Sequence, residues 1–113
     1  MPTIKYADLP VARPAPEMLR REVHTGNIMV IVVDFVDGPS PAAPPHHHPH
    51  EQISYMAEGK VNFIIGEGDE QTVDTLEPGD LVIVPPNAPH TVEPLTETAR
   101  IVDCFYPIRK EFL

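Results

Sequence analysis

Residues 44–52 read PPHHHPHEQ, and the fold is decided by how this tract joins the rest of the chain. Four histidines, His46, His47, His48 and His50, fall within five positions, interrupted only by Pro49. In extended chain, side chains alternate between faces. His46, His48, His50 and Gln52 then share one face, and His47 takes the other. Two neutral imidazoles two residues apart can aim ring nitrogens at one divalent ion. The remaining ligands must come from other strands. A proline-rich loop that takes up metal only adventitiously has the same local sequence, so the tract by itself leaves both readings open.

Around this tract lies a chain of 113 residues, a length that suits one domain, residues 1–113, with one core. Acidic residues outnumber basic ones 17 to 8, for a formal charge of -9. That balance disfavours nucleic acid and anionic membrane as partners. It leaves room for an anionic small molecule, because a local arginine can still clamp a carboxylate. Cys104 is the single cysteine, so no disulfide forms within the chain, as suits a reducing compartment. MPTIKYADLP lacks the apolar centre of a signal peptide, and IMVIVV, residues 28–33, is too short to span a bilayer. The expectation is a soluble, cytoplasmic protein.

Fifteen prolines and six glycines argue against long helices. PEMLRREV, residues 16–23, alone has helix-like composition, and it suits an extended chain equally well. The rest reads as short strands between turns: 28–36, 52–58, 60–66, 72–76, 81–85, 90–94 and 99–107. Gly59 between two of these predicts a hairpin turning at Glu58 and Gly59. Many short strands closely spaced by turns give an all-β barrel or sandwich.

The second half of the chain adds a matching segment. GDLVIVPPNAPH, residues 79–90, starts at a turn glycine, runs through a β-branched strand, turns at Pro85 and Asn87, and ends on His90. The two segments resemble the two signature motifs of the cupin superfamily: His46, His48, Gln52 and Gly59 in the first, Gly79, Pro85, Asn87 and His90 in the second. The resemblance implies a single-domain cupin jelly-roll β-barrel with an ion near its axis, held by His46, His48, Gln52 and His90. Cupins commonly have glutamate where this chain has Gln52. Three imidazoles and an amide leave the full charge on the ion, which favours polarisation of a bound oxygen. His50 stands as a spare imidazole for any of the assigned ligands.

Near the C-terminus, ARIVDCFYPIRKEFL places Asp103 in an apolar strand, where alternation puts it with Ile101 and Phe105. A buried carboxylate there is a candidate general acid or base. The alternative is a structural aspartate bonded to backbone amides. Arg109 can grip a carboxylate with two prongs, or be an exposed charge beside Lys110 and Glu111. Phe105 is an apolar wall for a sugar ring, or core.

HPHEQISYMAEGKVNFIIG, IVPPNAPHTVEP and DCFYPIRKEFL together resemble the small cupins of pectin degradation, the KdgF family. That family shares the glutamine ligand and the terminal Asp103, Phe105, Pro107, Arg109, Phe112 and Leu113 pattern. The resemblance implies a metal-dependent enzyme that converts 4,5-unsaturated monouronates into linear keto-uronates. Asp103 and Arg109 would be catalytic, Phe105 and Arg109 would contact the sugar acid, and one divalent zinc, nickel, manganese or iron ion would sit on the histidines. An iron dioxygenase, a sugar-acid isomerase or epimerase and a non-catalytic sugar-binding cupin are the rival outcomes. A homodimer, formed by strand exchange or sheet extension with an edge from the β-rich N-terminal half, completes the expectation.

Overall fold

The structure, a computed structural model, describes residues 3–113. PEMLRREV, which suited helix or extended chain equally, is strand and turn. Among the described residues nine strands run in order: β1 (Ala12–Ala15), β2 (Met18–His24), β3 (Met29–Phe35), β4 (Glu51–Glu58), β5 (Val61–Ile65), β6 (Thr72–Leu76), β7 (Leu81–Val84), β8 (His90–Pro94) and β9 (Ala99–Tyr106). Among the described residues the helical pieces are short 3-10 turns, and no helix is long and apolar enough to cross a membrane.

The strands form two antiparallel sheets. One has the order β1-β2-β3-β9-β4-β7 and the other β6-β5-β8. Alternation decides what lies between them. β3 buries Met29, Ile31, Val33 and Phe35 and leaves the residues between them half-buried. Phe63 and Val61 of β5 close the core from the opposite sheet. This is the jelly-roll arrangement that the two motifs imply.

The hairpin expected at Glu58 and Gly59 is not formed. A turn is there, but β4 pairs with β7 and β9, whereas β5 pairs with β6 and β8. The chain crosses from one sheet to the other at this point. Gly59 has φ of 72°, and a Cβ there would collide with the backbone of Thr98. Only glycine fits such a crossing.

β4 and β9 make the interior uneven from end to end. Met56 lies opposite Ile101, and both are buried. Truncating either to alanine would cost about 2–5 kcal/mol. Further along the same inner faces the pairs become Ser54 with Asp103 and Gln52 with Phe105. The core is apolar at one end of these strands and polar at the other, and the polar end holds the histidines.

Candidate metal centre

A reciprocal backbone pair brings the two histidine segments together. The His46 amide donates to the His90 carbonyl at 3.0 Å, and the His90 amide donates to the His46 carbonyl at 2.9 Å. The Asn87 amide donates to the His48 carbonyl at 2.7 Å. Asn87 holds φ of 66°, a left-handed conformation that asparagine tolerates better than most residues. That corner turns the chain after Pro85 and Pro86 so that His90 can open β8 beside His46.

One ring nitrogen from each of His46, His48 and His90 lies within 4.8 Å of the others. His90 Nδ1 bonds the Ala88 carbonyl at 2.8 Å, which fixes that nitrogen as the donor. Its Nε2 is buried with no partner among the described residues. A buried lone pair without a donor is costly unless something fills the gap, and a divalent ion is the natural occupant. Backbone bonding of the far nitrogen is how metal-ligating histidines are usually oriented. Gln52 adds an oxygen: its Oε1 lies 3.0 Å from His48 Nε2. Three imidazoles and an amide oxygen therefore suit a zinc-like ion, each as a neutral donor.

Burial keeps the rings neutral. The His46 imidazole is pushed down to about 4, first by burial and then by the charges of His90 and Arg109. His46 has exposed surface, yet its ring packs 4.3 Å from that of His90 and shares its loss of water. His48 and His90 also lie below the ordinary histidine range, chiefly through burial.

Asp103 joins this group through Ser54. The Ser54 hydroxyl donates to Asp103 Oδ1 at 2.6 Å, and Gln52 Nε2 donates to Ser54 Oγ at 2.9 Å. Burial raises the Asp103 carboxyl to about 6, against the lowering effect of the Ser54 bond, the Arg109 charge and the Gln52 amide. An acid in that range can both take and return a proton near neutrality.

Asp103, Phe105, Arg109, His46, Gln52 and His90 all line one cavity of ≈ 260 Å³. Arg109 reaches it because the Lys110–Phe112 turn folds the C-terminus back. The Arg109 side chain is only 12% exposed, and its Nε donates to Glu111 at 2.8 Å. Its guanidinium lies 4.2 Å from the Phe112 ring centre and 5.2 Å from that of Phe105. Arg20 also lies 4.2 Å from the Phe112 ring centre and lines the same cavity.

The sequence profile of the cupin domain matches residues 35–105. The chain belongs to the cupin family. The pectin degradation protein KdgF of Dickeya dadantii (strain 3937) is 32% identical over 97 residues, 84% of each chain. The structure of KdgF from Halomonas sp. superposes with a TM-score of 0.83 at 27% identity, covering 96% of this chain and 97% of that one. An RmlC-like cupin from Shewanella frigidimarina has a TM-score of 0.85 at 22% identity, over 97% and 94% of the two chains, which shows the fold.

The cupin motifs thus bring His46, His48, Gln52 and His90 to one point. His50 does not join them. The chain bends at Pro49 and His50, which breaks the alternation, and the converging ring nitrogens are those of His46, His48 and His90. Asp103 meets a serine hydroxyl, not backbone amides, and Arg109 lies folded in, not out in solvent. Sequence reading missed Ser54 and Arg20. Period-two alternation from Gln52 and from Met18 would have put both on inner faces, but nothing local marked them as polar partners of the site.

Proposed function

We propose that this KdgF-like cupin linearises 4,5-unsaturated monouronates. The observation that carries the reading is a cavity lined by two of the three converging imidazoles, His46 and His90, together with a carboxyl near neutrality and two guanidinium groups. A divalent ion held by His46, His48, His90 and Gln52 would supply Lewis-acid polarisation of a substrate oxygen. Arg109 has its Nε on Glu111 and its remaining donors free to grip a uronate carboxylate. Arg20 adds a second cation on the same wall, and the Phe105 ring offers an apolar surface for the sugar.

Asp103 is the proton carrier in this reading. Removing the proton from the anomeric hydroxyl and breaking the bond between anomeric carbon and ring oxygen leave an aldehyde and an enolate. Returning that proton to the enolate carbon gives the ketone. The sum is an isomerisation, so one acid that alternates between its two forms suffices. Similarity to KdgF of Dickeya dadantii supports this substrate class.

The reading takes residues 1–113 as one domain acting in the cytoplasm as a homodimer. Support for pairing comes from the outer face of the larger sheet. Ile53 lies opposite Ile83, and Tyr55 opposite Leu81, all four exposed, beside the unpaired edge of β7. A continuous exposed apolar face of this kind marks an interaction surface.

The test is direct. Metal-loaded protein is mixed with the unsaturated monomers released by pectate lyase and by alginate lyase, and loss of the conjugated chromophore is followed. Loss faster than without protein, abolished by chelation and by Asp103→Asn, is expected. An unchanged rate after complete chelation would overturn the mechanism.

A further inference from the structure

Ser54 sits in the middle of β4 with no exposed surface. A buried hydroxyl left unbonded costs about 1–3 kcal/mol, and this one is fully used. It donates to Asp103 Oδ1 at 2.6 Å and accepts from Gln52 Nε2 at 2.9 Å. With Asp103 ionised, the direction of that chain follows from counting protons. A serine hydroxyl has one proton, and a carboxylate oxygen only accepts. Ser54 therefore gives its proton to Asp103 and has only lone pairs to offer Gln52. The amide must turn its NH2 group toward Ser54. Its carbonyl oxygen then faces the other way, to within 3.0 Å of His48 Nε2, on one of the three converging rings. With the amide turned over, oxygen would face oxygen at Ser54, and N–H groups would face a cation.

We propose that Ser54 is a positioning residue of the metal centre, locking the Gln52 amide with its carbonyl oxygen toward the ion. The inference rests on the metal reading of this site and on no assumption about the substrate. It also gives a physical reason for glutamine where cupins commonly have glutamate. A glutamate at position 52 has no proton for Ser54 and would compete with Asp103 for the one that Ser54 carries. The cross-strand pairing of Ser54 with Asp103 thus selects an uncharged ligand.

The test is a double-mutant cycle read by zinc affinity. Metal-free unmodified chain, Ser54→Ala, Gln52→Ala and the double variant are titrated with zinc against a coloured chelator. Ser54→Ala is expected to weaken zinc binding by about 10-fold or more, in the range for lost supporting contacts. On the Gln52→Ala background the same change should matter less than about twofold, because the two residues act as one unit. Ser54→Gly repeats the test without the hydroxyl, and the same loss is expected. Undiminished affinity in Ser54→Ala would overturn the proposal, as would an equal loss on both backgrounds. If the unmodified chain takes up no zinc, the metal centre and this proposal fall together. If zinc binds and the cycle holds but uronates are not turned over, the positioning role stands and the substrate reading falls.

Discussion

Replacing Asp103 with asparagine should make the protein more stable while stopping its chemistry. The carboxyl rises from 3.8 to about 6 in the folded chain, mainly because it is buried. The folded state therefore holds this proton more tightly than the unfolded state does. Between about pH 4 and pH 6 the unfolded chain gives it up first, and the folded state loses stability as pH rises. A tenfold difference in proton affinity is worth about 1.4 kcal/mol, so ionised Asp103 costs the fold roughly 3 kcal/mol at about pH 7.5 and roughly 1 kcal/mol at about pH 4.5. Asp103→Asn removes that cost. The buried histidines titrate over part of the same range, but they are common to both proteins and drop out of the difference. Urea unfolding of metal-free protein at the two pH values measures it. The variant should gain more at the higher pH, while turnover falls by about 10²–10⁴. A variant no more stable than the parent at neutral pH, or one with the same gain at both pH values, would refute the placing of a buried, reluctant carboxylate.

The same geometry has other consequences. His46 is held down to about 4, and His48 and His90 are lowered as well, so the fold favours neutral rings. Stability from these groups is present above about pH 6.5 and is lost as pH falls toward 4, against the opposite trend of Asp103; comparison with His46→Gln cancels Asp103, and the urea midpoint of metal-free parent should fall relative to that of the variant over that window. Arg109→Lys keeps the charge but loses the planar fork, so initial rates should show KM for the uronate rising by about tenfold with a smaller change in kcat. Ile83→Lys places a charge on the most exposed part of the β7 face, where Ile83 is 72% exposed, and sedimentation should show a monomer.

The candidate metal ligands were legible because their spacing is local and repeated in two segments. His46 and His48 are fixed by alternation, and Asn87 and Pro85 announce the turn before His90. Strand positions were legible for a similar reason, since β3 and β4 alternate cleanly. Strand partners were not. A turn at Gly59 looks the same from the sequence whether the strands beside it pair or part, and the choice rests on packing between sheets. Ser54 was invisible because its meaning depends on Asp103, 49 residues further on. Arg20 was invisible for the same reason, since only the folded-back C-terminal turn brings Phe112 beneath it. Arg109 looked like a terminal surface charge because the turn that buries it has no strong local signal.

Anomalous diffraction at the zinc edge from crystals of the zinc-loaded chain tests the metal centre most directly. One strong peak is expected, about 2.0–2.1 Å from a ring nitrogen of each of His46, His48 and His90, with the Gln52 carbonyl oxygen turned toward it. A peak on His47 or His50 in place of these three, or no peak between them at all, would contradict it.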